Sequence, residues 1–335
     1  MDDVPVHAQL SQLISGYWKS QAIYAAATLG IADLLKDGRR DIDELAQQTG
    51  TRNELLYRLL RALASVGIFR EGPSRTFSLT PMAELLRSDA EQSQRWLAMM
   101  IGDEHYHAWG ELVAILRTGE NAFEKLYGMP IFDYLSKHPE QGRIFDRAMT
   151  GIHGRETDAV LAAYDFSAIG ALADIGGGNG LTLIGILQKH PQMRGILFDL
   201  PQVIDRARPN FETAGVADRC ELISGSFFEA VPPGADAFLM RHIIHDWTDE
   251  QSLTILRNCQ RAMKEHSRLL VVESVIPPGN DPFMGKFLDL NMMLIPGGKE
   301  RTADEYRELY TQAGFELTRI VPTSTEVSVV EGRKR

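Results

Sequence analysis

The sequence is poor in cysteine, in positive charge and in long apolar segments. Its two cysteines, Cys220 and Cys259, are too few for a disulfide framework or a thiolate metal site, and they point to a reducing compartment. No apolar run reaches the length of a membrane span. Residues 1–4 lack the basic and apolar regions of a signal peptide. We therefore expect a cytoplasmic protein.

The charge balance argues against polyanionic partners. The formal net charge is -10 at pH 7, which disfavours broad binding to nucleic acid or to an anionic membrane. Hydrophobic residues make up 44% of the chain and charged residues 24%, as in globular proteins. The 335 residues leave room for one large domain or two ordinary ones.

Helical patterns dominate residues 10–100, with one interruption. Residues 42–50 predict a short helix that ends in glycine, and residues 53–66 predict a second helix with leucines on one face. A hairpin signal follows at 67–79, where two β-like segments flank a turn. Helix, turn, helix and hairpin together describe a winged helix.

This winged helix allows two interpretations. A DNA-binding regulator would use arginines on phosphate, whereas a packing or dimerisation module would use the apolar surface of the second helix. That helix is dominated by leucine and alanine and has no cluster of polar base-reading residues, which favours packing or dimerisation. The arginines in question are Arg52, Arg58, Arg61, Arg70 and Arg75.

The next part of the chain, residues 90–165, is predicted to be mostly helical and is dense in aromatic and methionine side chains. Taken singly, each residue is expected in a core or an interface. As a set they are suited to wall a pocket for a flat apolar substrate. The set comprises Trp96, Met99, Met100, His105, Tyr106, His107, Trp109, Met129, Phe132, Phe145, Met149 and His153.

From residue 166 onward, strand patterns alternate with helix patterns, which predicts a parallel sheet covered by helices on both faces. A final pair of strands, 315–320 and 326–330, closes the sheet. The other predicted strands are 171–175, 195–199, 220–224, 237–241 and 268–273, and the predicted helices are 180–190, 201–215 and 249–264.

A glycine turn directly follows the first of these strands. Asp174 precedes a G-x-G-x-G pattern at Gly176, Gly178 and Gly180, and a helix begins there. Strand, glycine turn and helix form a nucleotide-binding crevice. Dinucleotide sites place a third glycine where Leu181 stands, so this variant favours S-adenosylmethionine, which has no pyrophosphate. A glycine turn of purely structural use remains an alternative.

Polar or aromatic residues follow every predicted parallel strand at its carboxyl end, where open α/β sheets bind ligands. The second strand ends at Asp199, a carboxylate able to accept hydrogen bonds from both ribose hydroxyls. The complete set is Asp174, Asp199, Ser226, Phe227, Arg241, His245 and Glu273.

At these positions the chain resembles the S-adenosylmethionine-dependent small-molecule O-methyltransferases, the caffeic-acid-type plant enzymes and the bacterial polyketide and phenazine enzymes. The resemblance covers nearly the whole chain. The motifs that carry it are 174–180, 199–204 (Asp-Leu-Pro-Gln-Val-Ile), 225–228 (Gly-Ser-Phe-Phe), 245–250 (His-Asp-Trp-Thr-Asp-Glu) and 297–301 (Gly-Gly-Lys-Glu-Arg).

The resemblance implies an α/β fold: a Rossmann-like class I methyltransferase sheet with an N-terminal, α-helical winged-helix dimerisation domain. The implied boundaries are 1–100 for the dimerisation domain and 101–335 for the catalytic domain. Within the latter, 101–165 would form a helical substrate-pocket segment and 166–335 the Rossmann-like core. The implied partners are a second copy of the chain and a small aromatic substrate, with no nucleic acid and no membrane.

The resemblance also implies the site residues. His245 would be the catalytic base, flanked by Glu273 and Glu300. The plant enzymes usually have aspartate in place of Ser226, beside the adenine, and the family uses no metal. The implied cofactor-binding residues are Asp174, Gly176, Gly178, Asp199 on the ribose, Leu200, Ser226, Phe227, Arg241 in place of a lysine, and Met149 near the methyl donor.

These residues suit transfer of a methyl group to an aromatic hydroxyl. A phenol is about one part in a thousand ionised at neutral pH, so an imidazole that takes its proton assists the attack. Three alternatives remain: a nicotinamide-dependent oxidoreductase, a relative that binds the cofactor without transferring its methyl group, and an N-methyltransferase. The acceptor itself is not identified by the sequence.

Overall fold

The structure is a computed structural model that describes residues 4–335, apart from the side chains at positions 153 and 155. The chain divides into two compact units. The N-terminal unit extends to residue 107 and includes 135–152, and the C-terminal unit comprises 108–134 and 153–335. None of the described helices combines the length and the apolar character needed to cross a membrane.

Short helices and a small sheet form the N-terminal unit. Its helices are α1 (Val6–Ile14), α2 (Gly16–Thr28), α3 (Ile31–Leu34), α4 (Ile42–Thr49), α5 (Asn53–Ala64), α6 (Pro81–Glu84) and α7 (Arg95–Met100), followed by a π-helical turn at Ile101–His105. Its strands are β1 (Arg40–Asp41), β2 (Phe69–Gly72) and β3 (Thr76–Leu79).

The predicted winged helix is confirmed. Helix α4 begins where the Asp41 carboxylate accepts a hydrogen bond from the Glu44 amide and ends at Gly50, whose φ is 65°. Helix α5 buries Leu56, Leu60 and Leu63 along one face. Strands β2 and β3 pair antiparallel as the predicted hairpin, and β1 adds a third strand beside β3 that the sequence analysis did not predict.

Five helices precede the large sheet of the C-terminal unit: α8 (Tyr106–Gly110), α9 (Leu112–Thr118), α10 (Ala122–Tyr127), α11 (Ile131–Lys137) and α12 (Pro139–Ala163). Of these, α8, α11 and α12 each have residues in both units. The remaining helices are α13 (Leu181–Lys189), α14 (Pro201–Thr213), α15 (Asp249–Ala262), α16 (Gly285–Leu294) and α17 (Ala303–Gln312).

All five predicted parallel strands and the predicted closing pair are present. They run in the order β10-β11-β8-β7-β4-β5-β6; β4 to β8 pair parallel, while β11 pairs antiparallel with both β8 and β10. Their bounds are β4 (Ala171–Ile175), β5 (Arg194–Asp199), β6 (Cys220–Ser224), β7 (Ala237–Arg241), β8 (Arg268–Ile276), β9 (Arg301–Thr302), β10 (Phe315–Pro322) and β11 (Val327–Lys334). The expected Rossmann-like sheet is confirmed.

Alternating side chains of the parallel strands enter two separate apolar clusters. Leu172 of β4 belongs to one cluster, and its neighbour Ala173 belongs to the other, because successive strand residues point to opposite faces. Strand β4 lies between β5 and β7, so connections leave it towards both edges of the sheet. The carboxyl end of β4 is therefore the switch point at which such sheets bind ligands.

Three elements near the C-terminus were not predicted individually: α16, β9 and α17. Strand β9 has two residues and pairs parallel with the end of β8. Helix α17 begins with a capping box, in which Thr302 accepts a hydrogen bond from the Glu305 amide and the Glu305 side chain accepts one from the Thr302 amide. These elements place Glu300 and Arg301 beside the end of β8.

The burial of α5 generates a prediction for the N-terminal unit. Leu60→Ala should lower the free energy of unfolding by about 2–5 kcal/mol, since it empties space around a side chain that is 0% exposed. Leu55 is the matched control, because it lies on the same helix and is 52% exposed; Leu55→Ala should change the free energy by no more than about 0.5 kcal/mol. Urea unfolding followed by circular dichroism measures both, and equal losses would contradict the assignment of the buried face.

Candidate active site

The glycine turn after β4 adopts a conformation that other residues disfavour. Gly176, Gly178 and Gly180 have φ angles of 71°, 60° and 79°, in the left-handed region that glycine adopts without strain. A Cβ on Gly180 would lie 2.3 Å from the Phe211 ring, whereas a Cβ on Gly178 would meet nothing within 4 Å. The turn is thus packed on one side and open at Gly178, as a cradle for a ligand must be.

Asp174 is the penultimate residue of β4, just before this turn, and is 1% exposed. Burial, opposed by the Arg241 guanidinium and assisted by the Asp199 carboxylate, raises the pKa of its carboxyl group to about 7. Among the described residues, no hydrogen-bond partner reaches its Oδ2 atom. The site therefore holds an unsatisfied buried carboxyl group, which favours a donor or a cation as its ligand.

Asp199 lies at the end of β5, next to the glycine turn. Its Oδ2 accepts a hydrogen bond of 2.9 Å from the Gly178 amide, and its Oδ1 accepts one of 2.7 Å from the Leu200 amide. These contacts fix the carboxylate at the carboxyl end of the sheet, while Leu200 is 42% exposed. The structure thus brings Asp199 together with the turn, and its contact with a ribose stays a prediction.

Aromatic rings follow β6. The Phe227 ring lies 5.9 Å from the Trp247 ring and the Phe228 ring lies 4.8 Å from it, both edge to face. The Asn258 side chain donates a hydrogen bond of 2.8 Å to the Phe227 carbonyl, and the Ser226 hydroxyl accepts one of 3.3 Å from the Phe228 amide. Ser226 and Phe227 thus lie in a structured aromatic turn, and their contact with adenine stays a prediction.

Arg241 ends β7, and burial lowers the pKa of its guanidinium, opposed by the carboxylates of Glu156 and Asp174. It donates a hydrogen bond of 2.9 Å to the Thr157 hydroxyl. Met149 lies on α12, in the part that belongs to the N-terminal unit. Its expected place near the methyl donor stays a prediction.

His245 lies in the turn after β7 and is 6% exposed. Its Nδ1 atom lies 2.6 Å from Oε1 of Glu300, within hydrogen-bond distance. Its Nε2 atom lies 3.6 Å from Oδ1 of Asp246. Each ring nitrogen therefore faces a carboxylate, and the nearer carboxylate orients the ring.

These neighbours decide the protonation of the imidazole. Burial alone would lower the pKa of His245, but Asp246 and Glu300, with a smaller contribution from Glu273, raise it to about 10. Burial, opposed by His245 and assisted by the Glu273 and Glu300 carboxylates, raises the pKa of Asp246 to about 7. The resting imidazole is thus held in its charged form at neutral pH by the carboxylates around it.

Glu273 of β8 does not touch the imidazole; it holds the backbone that carries it. Its Oε1 atom accepts hydrogen bonds of 3.1 Å from the backbone amides of Ile243 and His245, and its Oε2 atom accepts one from the Tyr306 hydroxyl. The two glutamates that were expected to flank His245 are therefore both present, in different positions: Glu300 on the ring and Glu273 on the main chain.

The loop before β9 lies directly against the main chain of His245. A Cβ on Gly298 would lie 2.0 Å from the His245 carbonyl oxygen, so only glycine permits this approach. Asp289 of α16 accepts a hydrogen bond of 2.9 Å from the Glu300 amide. These contacts fix the position of the Glu300 main chain relative to the His245 ring.

The site contains residues that the sequence analysis did not select. Asp246 was visible in the motif at 245–250, next to His245, but was not assigned a role. Tyr306 and Asp289 carry no comparable signal, because α16 and α17 were not recognised as contributors to the site. From the sequence alone, such side chains cannot be told from ordinary polar residues of a surface or a core.

Comparison with known proteins agrees with this geometry. Residues 109–316 match the model of an O-methyltransferase domain, and residues 11–89 match that of an O-methyltransferase dimerisation domain. The chain therefore belongs to the O-methyltransferase family. It is a methyltransferase that acts on small molecules, with an N-terminal domain of the dimerisation type.

Two relatives show which methylation reactions occur among proteins similar to this chain. The phenazine O-methyltransferase of Lysobacter antibioticus is 47% identical over 98% of this chain and 97% of its own length. The phenazine-1-carboxylate N-methyltransferase of Pseudomonas aeruginosa is 32% identical over 96% and 95%, respectively. Close relatives thus include enzymes named for methylation of oxygen and of nitrogen.

Solved structures show the same architecture. The crystal structure of LaPhzM superposes with a TM-score of 0.96 at 47% identity, covering 99% of this chain and all of that one. An O-methyltransferase from neocarzinostatin biosynthesis, solved with S-adenosylmethionine and 2-hydroxy-5-methyl naphthoic acid, superposes at 0.84 with 33% identity, covering 94% and 96%.

The contact at Gly298 generates a prediction. Gly298→Ala should lower methyl-transfer turnover by about tenfold or more, because the new methyl group must displace the main chain of His245. Gly110→Ala is the control: a Cβ at Gly110 would meet nothing within 4 Å, so its turnover should match the wild type. A crystal structure of Gly298→Ala in which the His245–Glu300 contact is unchanged, together with full turnover, would contradict the prediction.

Proposed function

We propose that this protein transfers the methyl group of S-adenosylmethionine to a hydroxyl group of a small aromatic acceptor, with His245 as the general base. The observation that carries the proposal is the buried imidazole at the carboxyl end of the sheet, held through Nδ1 by Glu300 at 2.6 Å. This contact leaves Nε2 as the nitrogen that exchanges a proton with the acceptor. The proposal also includes assembly as a homodimer through the domain of dimerisation type.

The cofactor is S-adenosylmethionine, and the residues of the crevice fit it. Two carboxyl groups, Asp174 and Asp199, lie at the glycine turn and influence each other's charge, which disfavours a pyrophosphate and favours a cation. The open side of Gly178 allows close approach of a ligand to the main chain. When bound, the cofactor supplies an electrophilic methyl group on a positively charged sulfur.

In this proposal the chain binds and orients both reactants. Asp199, held by two backbone amides, accepts hydrogen bonds from the ribose. The aromatic turn at Phe227 and Trp247 borders the adenine, and the Phe132 ring, 5.6 Å from the Trp247 ring, extends this apolar surface. Alignment of this kind can supply about 7–11 kcal/mol in favourable cases.

His245 and Glu300 accept and stabilise the proton that leaves the acceptor hydroxyl. The Glu300 carboxylate fixes the tautomer and stabilises the charged imidazole that forms when Nε2 takes the proton of the acceptor hydroxyl. Because the resting pKa of His245 is raised to about 10, the site must first release its own proton to solvent. The proposal therefore requires turnover to increase as pH rises above neutrality, towards the pKa of the imidazole.

Methylation of nitrogen is the second candidate, since relatives include N-methyltransferases. A neutral amine keeps a lone pair without deprotonation, so N-methylation does not need a base at the moment of attack. The His245–Glu300 pair therefore favours a hydroxyl acceptor. The relatives that act on phenazines and hydroxylated aromatic acids support a flat aromatic acceptor.

The direct test is incubation of the purified protein with isotope-labelled S-adenosylmethionine and a panel of matched acceptors. We expect hydroxylated phenazines, naphthoates or simple phenols to gain one labelled methyl group on oxygen, detected by mass and located by fragmentation. The control panel carries amino groups in place of the hydroxyls. Methyl transfer confined to the amino compounds would reject the O-methyltransferase proposal and select the second candidate.

Asp199→Ala should weaken binding of S-adenosylhomocysteine by about tenfold to a hundredfold, because hydrogen bonds to a charged group are lost. Asp205→Ala is the matched control, since Asp205 is an exposed aspartate on the following helix. Isothermal titration calorimetry measures both dissociation constants. A wild-type value for Asp199→Ala would reject the assignment of this carboxylate to the ribose.

His245→Gln should lower turnover on a phenol by about 10²- to 10⁴-fold, the usual contribution of a positioned base, and leave cofactor binding intact. Turnover of the wild type should rise from neutrality towards about pH 10, because the unprotonated fraction of an imidazole whose pKa is about 10 grows about tenfold with each pH unit below that value. A pH-rate series for both proteins, with cofactor binding measured in parallel, tests this. Undiminished turnover of the variant on a neutral phenol would remove His245 from the mechanism.

A further inference from the structure

Arg301 directly follows Glu300 and is 0% exposed. A guanidinium so far from water is costly unless its donors are satisfied by charged or polar partners. Neither the catalytic scheme nor the cofactor site uses this residue. Its position therefore calls for a physical explanation of its own.

Every nitrogen of the Arg301 side chain has a partner. The Nε and Nη2 atoms donate to Oδ1 of Asp249 at 3.1 and 2.9 Å, and Nη2 also donates to the Ser252 hydroxyl at 3.2 Å. The Nη1 atom donates to the carbonyl oxygens of Ile244 and Lys299, at 3.1 and 3.3 Å. A further bond of 3.1 Å joins Nη2 to the Trp247 carbonyl.

Two of these acceptors lie on either side of the imidazole in the sequence. The carbonyls of Ile244 and Trp247 bracket His245 and Asp246, so the guanidinium holds both ends of the short turn that carries the base. The same arginine is covalently next to Glu300, whose carboxylate contacts His245 Nδ1. One planar group thus joins the two main-chain segments whose separation determines the His245–Glu300 contact.

We propose that Arg301 is a positioning residue that sets the distance between the His245 imidazole and the Glu300 carboxylate, and thereby the proton affinity and reactivity of His245. A lysine cannot replace it, because a single ammonium group lacks the planar fork that reaches carbonyls on both sides of the turn. The inference rests on the proposed role of His245 as the base.

The environment of His245 defines what the test must consider. The titratable and charged groups that face the imidazole are Asp246, Glu300, Glu273, Glu156 and His242. Asp246 lies on the same turn as the imidazole and moves with it, whereas Glu300 lies on the segment next to Arg301, so the His245–Glu300 contact is the one that Arg301 sets. Loosening that contact should weaken the attraction between the imidazolium and its nearest carboxylate, so the pKa of His245 should fall.

The experiment compares Arg301→Lys with Arg319→Lys in the full-length protein. Arg319 pairs with Glu331 through a side chain that is 52% exposed, away from the imidazole, and so controls for loss of an arginine ion pair. His245 is titrated by NMR with histidine-selective labelling, its resonance being assigned by its loss in His245→Gln. Turnover and Michaelis constants are measured on the same samples.

For Arg301→Lys we expect the midpoint of the His245 titration to fall by about half a pH unit or more, as a weakened charge contact requires. Turnover should fall by about tenfold or more while the Michaelis constant of the acceptor and the dissociation constant of the cofactor stay within about twofold, as for a misplaced catalytic group. Arg319→Lys should leave all four quantities at wild-type values.

A lower melting temperature for Arg301→Lys, with the His245 titration and turnover equal to those of Arg319→Lys, would overturn the proposal and leave Arg301 as a stabilising residue. If Arg301→Lys fails to fold, Asp249→Asn decides by the same criteria, since the Asp249 side chain is 54% exposed and the substitution removes the charge that anchors the fork, together with the ion pair to Lys299. If no hydroxyl accepts a methyl group, the proposed function fails, and the NMR titration still decides the role of Arg301.

Discussion

The buried contact between the His245 imidazole and the Glu300 carboxylate is the constraint on which the rest of the site depends. Two charged groups out of water are stable together only when the main chain holds them in good geometry. Glu273 supplies part of that support by accepting hydrogen bonds from the backbone amides of Ile243 and His245. The close approach of Gly298 to the main chain of His245 supplies another part of the support. Strand β8 and the loop before β9 thus both help to hold the imidazole and the carboxylate together.

Much of the fold follows from local pattern. Apolar runs located β4 to β8 to within a few residues, since strands buried on both faces leave a continuous apolar signal. The predicted end of α5 was two residues late: the helix stops at Ala64 because Gly67, with φ of 81°, accommodates hydrogen bonds from its own amide to Ala64 and from the Ile68 amide to Leu63. Strand β1 was missed because two residues are too short for a pattern.

The site was only partly accessible from the sequence. The residues proposed to bind the cofactor lie at the ends of consecutive strands, so the order of these strands in the chain placed Asp174 and Asp199 near each other. The cluster around His245 joins residues far apart in the chain: Glu300 is 55 positions from His245, and Tyr306 is 33 from Glu273. No local periodicity encodes such pairs. The family resemblance identified Glu273 and Glu300 as neighbours of His245, but it did not predict that one contacts the ring and the other the main chain. The fully buried Arg301 lay inside a recognised motif and was left without a role.

The two carboxyl groups beneath the glycine turn have a consequence for the cycle of turnover. A buried, unsatisfied Asp174 beside Asp199 attracts a positive ligand more strongly than a neutral one of the same shape. Under the proposed cofactor assignment, transfer of the methyl group would remove the positive charge of the sulfur, so these carboxyl groups would attract the product nucleoside less strongly than the donor. The same two carboxyl groups would then favour both binding of the donor and release of the product.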